Sequence, residues 1–163
     1  TGSLKNTVDY KKAAGMEHCQ GFKMDNFCPQ LPGLEIAVVG KDDKLLLFDY
    51  QGDLLWERQV PTGLVTHADW DGDGVQEILV FAVGYNLDPC WSVWKGNGER
   101  LFAMSFLPAP RRSHASMCGP GLGFEGYEDL DGNNRADILV AYGPWKTGEP
   151  QYQFIAEAPA EDF

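Results

Sequence analysis

Two acidic stretches of the sequence place oxygen atoms at alternate positions, a spacing that suits metal binding. In the first stretch, DWDGDGVQE over 69–77, oxygen ligands occupy positions 1, 3, 5, 7 and 9: Asp69, Asp71, Asp73, the main-chain carbonyl of Val75, and Glu77. Alternate positions of a tightly curled loop point toward one centre, and Ca²⁺ takes about 6–8 such hard oxygens. Mg²⁺ fits less well because it requires a stricter octahedron and keeps more water.

The second stretch, DLDGNNRAD over 129–137, repeats the spacing with Asp129, Asp131, Asn133, the carbonyl of Arg135, and Asp137. Neither stretch is an EF-hand loop, because the position that would need a bidentate Glu is Val80 in one and Val140 in the other. The alternative is that Asp- and Gly-rich segments are simply favourable turns. The repeated spacing favours two Ca²⁺ sites, and the first, with more carboxylates, is expected to bind more tightly.

Three acidic residues each stand immediately before an aliphatic run that is typical of a β-strand: Glu35, Glu77 and Asp137. They recur at intervals of about 40–60 residues, a length typical of stacked supersecondary repeats. No run of alternating carboxylates precedes Glu35, so we expect no cation in the first repeat.

Two of the repeats also contain a clear hairpin signal. Gln51-Gly52 and Asn97-Gly98 each separate two strand-like runs, and glycine supplies the positive φ that tight hairpin turns need. The only helical candidate is a weak one over 6–15. These signals predict an all-β fold of short antiparallel strands arranged as β-propeller-like blades. A β-sandwich, which would lack the repeated unit, is the alternative.

The repeats divide the chain into two parts. Residues 1–24 are expected to form an N-terminal segment, either weakly structured or capping, and 25–163 a β-propeller-like repeat domain with blades at about 25–60, 65–107 and 124–158. A closed propeller has about 4–8 blades, so about three blades make an incomplete propeller. Uncovered sheet edges predict self-association or contact with neighbouring blades.

The acidic loops resemble those of a known family. DWDGDGVQEILV and DLDGNNRADILV are similar to the calcium loops of FG-GAP/VCBS-type propeller repeats, found in integrin α-subunits and many secreted bacterial proteins. The hairpins LLLFDYQGDLLW and WSVWKGNGERLF are similar to blades of those propellers and of rhamnogalacturonan lyases. The resemblance covers roughly 34–140. It implies an extracellular or cell-surface calcium-binding module or, alternatively, part or a relative of a rhamnogalacturonan-type polysaccharide lyase.

Composition excludes some partners. The formal net charge is −11, whereas nucleic-acid binders normally carry a basic face. No apolar run approaches the length of about 18 residues that would span a membrane, so no membrane insertion is expected.

The cysteines weakly favour an oxidising compartment. Cys19, Cys28, Cys90 and Cys118 form no CxxC pair, and an even number favours two disulfides among three possible pairings. We favour Cys19–Cys28, which would brace the first repeat, and Cys90–Cys118. Four buried thiols are the alternative.

Candidate catalytic and ligand-binding residues are few. The loop over 108–123 contains Arg112 and His114, which in a polysaccharide lyase would neutralise a uronate carboxylate and abstract a proton. The alternative is a solvated loop whose arginine pairs with surface acids. Trp145 is the best candidate for stacking on a sugar ring, although ordinary packing is slightly favoured for it. His67, two residues before Asp69, is interpreted as strand filler.

The sequence therefore favours a non-catalytic, extracellular, Ca²⁺-binding β-propeller-like module that serves adhesion, carbohydrate contact or self-assembly. Its expected partners are further copies or blades, a carbohydrate, or an extracellular protein. The polysaccharide lyase, with Arg112 and His114 as catalytic residues, is the alternative.

Overall fold

The strands of the protein form three separate sheets. The computed structural model describes residues 6–40, 42–60, 63–82, 90–105, 122–128, 132, 137–142 and 151–156. Sheet A has the order β1-β2-β3-β4: Cys19–Asp25, Glu35–Gly40, Lys44–Phe48 and Leu54–Gln59. Sheet B has the order β5-β6-β7-β8: Gly63–Ala68, Glu77–Ala82, Cys90–Trp94 and Arg100–Ser105. Sheet C has the order β11-β10-β9, with β9 at Leu122–Glu128, β10 at Asp137–Tyr142 and β11 at Gln151–Ala156.

This arrangement confirms the predicted all-β class. The pairings within sheets A, B and C are antiparallel. No sheet closes on itself among the described residues. The propeller arrangement stays a prediction.

Contacts divide the chain into two compact units. The first comprises Thr1–His67 and Val75–Ala109, and the second comprises Ala68–Gly74 and Pro110–Phe163. Sheet A and nearly all of sheet B belong to the first unit, and sheet C belongs to the second.

The strand starts and hairpin turns lie where the sequence predicted them. Glu35, Glu77 and Asp137 are the first residues of β2, β6 and β10. Gly52, between β3 and β4, has φ 92°, and Gly98, between β7 and β8, has φ 82°. These are left-handed conformations that glycine adopts without steric cost, so both hairpins turn at the expected dipeptides.

A shared apolar core joins sheets A and B within the first unit. Ala37, Val39, Leu45 and Leu47 of sheet A pack in one buried cluster with Val65, Ile78, Val80 and Trp94 of sheet B. Alternation along a strand sends neighbouring side chains to opposite faces, so this cluster uses one face of each sheet. Neighbouring propeller blades and the two layers of a β-sandwich both pack in this face-to-face manner.

The N-terminal segment, residues 6–18, covers the other face of sheet A. Helix α1, Tyr10–Ala14, lies within the predicted helical stretch and is followed by Gly15 with φ 67°. Met16 is fully buried and packs with Val38, Leu46 and Phe48. We call this segment the N-terminal cap.

Hydrogen bonds fix the N-terminal cap to sheet A. The Lys44 ammonium donates to the Ala14 carbonyl at 2.6 Å, and the Asn6 amide donates to the Tyr50 carbonyl at 2.7 Å. The next strand, β1, begins at Cys19. It therefore extends across the boundary between residues 24 and 25 that the sequence analysis proposed.

The predicted disulfide between Cys19 and Cys28 is wrong. Both thiols are free. Cys19 opens β1 opposite Gly40, whereas Cys28 lies beyond the far end of that strand in the buried core. A strand of seven residues spans about 20 Å, and a disulfide requires Cα atoms within about 7 Å.

Candidate metal centre

The acidic loop over 69–77, which connects β5 to β6, brings three of its predicted ligands together. One carboxylate oxygen from each of Asp69, Asp71 and Glu77 lies within 4.8 Å of the other two. Oxygens that bind one Ca²⁺ lie about 2.3–2.6 Å from the ion. Two such oxygens on opposite sides of the ion are therefore about 4.6–5.2 Å apart. The spacing of the three carboxylates fits ligation of a single ion.

Two glycines allow the loop to curl around this point. Gly72 has φ 76° and Gly74 has φ 86°, in the left-handed region that glycine favours. The curl is closed by hydrogen bonds, since the Gly74 amide donates to Asp69 Oδ2 at 3.0 Å. The Asp73 amide donates to Asp71 Oδ1 at 3.3 Å.

The electrostatics of the loop favour a positive ion. Glu77 is only 1% exposed, and Asp69 Oδ1 is buried without a hydrogen-bond partner. Burying carboxylate oxygens without compensation is costly, and an ionised carboxylate accepts hydrogen bonds but cannot donate them. A cation would compensate the Asp69 oxygen, and the all-oxygen donor set suits a hard divalent ion.

The remaining predicted ligands of this loop have different positions. Asp73 is exposed and lies outside the group of three carboxylates. Val75 is half-buried just before β6. The group of three is thus smaller than the ligand set that the sequence predicted, and Ca²⁺ at this point would need further oxygens.

Only part of the second loop lies among the described residues. Asp137 opens β10 as Glu77 opens β6. Gly132 has φ 80°, and Gly72, at the equivalent position of the first loop, has φ 76°. The other predicted ligands, Asp129, Asp131, Asn133 and Arg135, lie outside the described residues.

Glu35 occupies the equivalent strand start in sheet A, in a different environment. Its side chain is fully buried, and its Oε2 accepts a hydrogen bond from the Cys28 amide at 2.8 Å. The Phe27 amide is a further backbone donor to this carboxylate. Burial raises the pKa of the Glu35 carboxyl even though these amides act in the opposite direction. In sheet A, a backbone amide thus holds Oε2 of the acidic residue that opens the second strand, whereas Oε1 is buried without a hydrogen-bond partner.

The structure adds a contact that the sequence analysis missed. His67 Nδ1 lies 3.2 Å from Gln76 Oε1 and 3.1 Å from Asp25 Oδ2. His67 and Gln76 flank the acidic loop on its two sides, so the interpretation of His67 as strand filler was incomplete. The only signal in the sequence was the closeness of both residues to predicted ligands.

Other predicted residues lie outside the described part of the chain. These are Arg112 and His114 of the alternative lyase, the sugar-stacking candidate Trp145, and the thiols of Cys90 and Cys118.

No described helix has the length and apolar character needed to cross a membrane. Comparison with protein-family models, with curated protein sequences and with solved structures found no match to this chain.

Proposed function

We propose that this protein is a calcium-stabilised all-β module in which Ca²⁺ bound by the loop over 69–77 fixes the corner between β5 and β6. The observation that carries the proposal is the convergence of Asp69, Asp71 and Glu77 within 4.8 Å. The buried, unpartnered Asp69 Oδ1 supports it independently. Ca²⁺ takes about 6–8 oxygen ligands. In this proposal the further oxygens come from Asp73, the Val75 carbonyl and water.

The ion has a structural role in this proposal. Like charges held close together repel, and a bound cation adds attractions that outweigh this repulsion. Ligands from the loop and from the first residue of β6 share one ion, so binding ties the loop to the sheet. A ligand that binds only the folded state stabilises it by about 2.7 kcal/mol when its free concentration is 100 times Kd.

The proposal extends to the second loop and to the setting of the protein. The resemblance to FG-GAP/VCBS-type repeats supports a second Ca²⁺ site over 129–137, which shares the positive φ of the first loop at Gly132. Extracellular calcium modules work with Kd values of about 10⁻⁴–10⁻³ M, which matches a loop with few enclosed carboxylates. Within this proposal the module serves adhesion, carbohydrate contact or self-association outside the cell.

Calorimetric titration with CaCl₂ tests the proposal. We expect the parent protein to bind Ca²⁺, and we expect Asp71→Asn to weaken one site at least about tenfold, because each ligand contributes directly to the affinity. Asp53→Asn, in the exposed β3–β4 turn, is the matched control and should bind as the parent does. A folded parent protein that binds no Ca²⁺ at about 10 mM, a concentration above the Kd range of extracellular modules, would refute the proposal.

A further inference from the structure

A side-chain contact closes the base of the acidic loop. His67 is the next-to-last residue of β5, and Gln76 immediately precedes β6. The 3.2 Å contact between His67 Nδ1 and Gln76 Oε1 therefore joins the two ends of the segment that carries four of the five predicted ligands of the first site. Asp69 follows His67 by two positions, and Glu77 follows Gln76 directly.

Sheet A anchors the same histidine. Asp25 is the last residue of β1, and its Oδ2 lies 3.1 Å from His67 Nδ1. The other oxygen of Asp25 accepts a hydrogen bond from the Asn26 amide at 2.7 Å, which fixes the orientation of the carboxylate. The Phe27 ring meets the imidazole edge-on, with ring centroids 6.1 Å apart.

The chemistry of these groups assigns the hydrogen on the imidazole. An ionised Asp25 is only an acceptor, so His67 Nδ1 must carry the hydrogen that both Asp25 and the Gln76 carbonyl oxygen accept. Asp25, His67 and Gln76 together are called the loop clasp.

We infer that the loop clasp preorganises the acidic loop for its cation, with His67 as a positioning residue. This inference rests on the proposed function. Without an ion, the carboxylates of the loop repel one another and favour separation of the loop ends. The loop clasp opposes that separation, so less ordering remains to be done when the ion binds, and preorganisation of this kind raises affinity.

The test compares Ca²⁺ affinity in variants that keep or remove the Nδ1–H donor. His67→Leu removes the donor, whereas His67→Asn places an amide N–H close to the position of Nδ1. Groups that orient metal ligands typically contribute about 10–100-fold to metal affinity. We therefore expect calorimetry with CaCl₂ to show about tenfold weaker binding for His67→Leu and near-parental binding for His67→Asn.

A variant at Gln76 keeps the test valid if His67→Leu fails to fold. Gln76→Leu should also weaken Ca²⁺ binding, and the double variant should bind no more weakly than His67→Leu, because His67→Leu already removes the contact with Gln76. Circular dichroism in chelator first establishes that each variant is folded at the temperature of the titration. The affinity is then read only from folded protein.

The outcomes distinguish failure of this inference from failure of the proposed function. If the parent protein binds Ca²⁺ and both leucine variants bind it equally well, this inference is wrong while the proposed function stands. Equal weakening in His67→Asn and His67→Leu would also overturn it, since the donor would not matter. A parent protein that binds no Ca²⁺ would overturn the proposed function and this inference with it.

Discussion

The indole nitrogen of Trp56 donates a hydrogen bond to the carbonyl oxygen of Gly96 at 2.7 Å. Trp56 lies on β4 of sheet A, and Gly96 lies in the β7–β8 turn of sheet B. Arg58, on the same face of β4, donates to the Gly98 carbonyl at 3.0 Å, and its guanidinium carbon lies 5.4 Å from the Trp56 ring centroid. Two side chains of the last strand of sheet A thus donate hydrogen bonds to the β7–β8 turn of sheet B.

Replacing Trp56 by Phe should lower the free energy of unfolding by about 1 kcal/mol, because the Gly96 carbonyl loses its donor while an aromatic ring is kept. Guanidinium denaturation of the parent and the variant measures this difference. An unchanged midpoint would show that the hydrogen bond contributes nothing net.

Gly96→Ala should be more damaging. A Cβ at this position would collide with the Phe27 carbonyl and the Cys28 sulfur, and overpacking of a buried site costs about 1–3 kcal/mol. Gly21→Ala is the matched control, since its Cβ would meet the nearest atom, in the Val65 side chain, at an ordinary 3.7 Å. Equal stabilities of the two variants, measured by denaturation, would contradict the close approach at Gly96.

Glu35 should make stability depend on pH. Burial raises the pKa of its carboxyl in the folded protein above the ordinary value of 4.5, so the folded state binds this proton more tightly than the unfolded state does. Linkage then requires the free energy of unfolding to fall as pH rises from about 4.5 through the raised pKa.

Glu35→Gln keeps an acceptor for the Cys28 amide and removes the ionisable group. Urea denaturation in chelator at several pH values measures the free energy of unfolding of the parent and of this variant. As pH rises, the free energy of unfolding of the parent should fall relative to that of the variant. A difference that is constant from pH 4 to pH 7, a range of about three units around the ordinary pKa, would refute the assignment.

Cys28 should resist alkylation in the folded protein. Its burial, together with the neighbouring Glu35 carboxylate, raises the pKa of the thiol from 9.0 to about 11. The reactive thiolate is then about a hundredfold scarcer at pH 8 than for an ordinary cysteine. Mass spectrometry after iodoacetamide treatment should show modification of Cys28 only when denaturant is present. If Cys28 in the folded protein reacted as fast as an exposed thiol, its buried position would be contradicted.

Removal of the N-terminal cap should promote association. Deleting residues 1–17 uncovers Val38, Leu46 and Phe48, and exposed apolar patches favour contact with other protein surfaces. We expect light scattering to give a larger particle mass for the truncated chain than for the parent. Met16→Asp, which places a charge in the same buried site, should change the mass in the same direction. A parental mass for both folded variants would refute this role of the cap.

Local features of the sequence were sufficient to predict the strands. Glu35, Glu77 and Asp137 open their strands, and the aliphatic residues that follow each of them are typical of a buried strand. Gln51-Gly52 and Asn97-Gly98 mark hairpins because the turn geometry depends only on adjacent residues.

The contacts that the sequence could not predict join residues far apart in the chain. The Asp25–His67 pair depends on the placement of β1 beside β5, and the burial of Met16 depends on the route of the N-terminal cap across sheet A. The error over Cys19 and Cys28 has the same origin: their short separation in sequence favoured pairing, but the intervening residues form an extended strand. For the acidic loop, spacing identified Asp69, Asp71 and Glu77, whereas the exposure of Asp73 depends on the fold.

The backbone amides that hold Glu35 have a consequence for the order in which the protein is built. In the first sheet to be synthesised, one oxygen of the corner carboxylate accepts a hydrogen bond from the Cys28 amide of the same chain segment. That corner has no predicted cation site, so it can fold as soon as the polypeptide leaves the ribosome, whether or not Ca²⁺ is present. The corner at Glu77 comes later in the chain, and in our proposal its consolidation waits for arrival in a calcium-rich compartment.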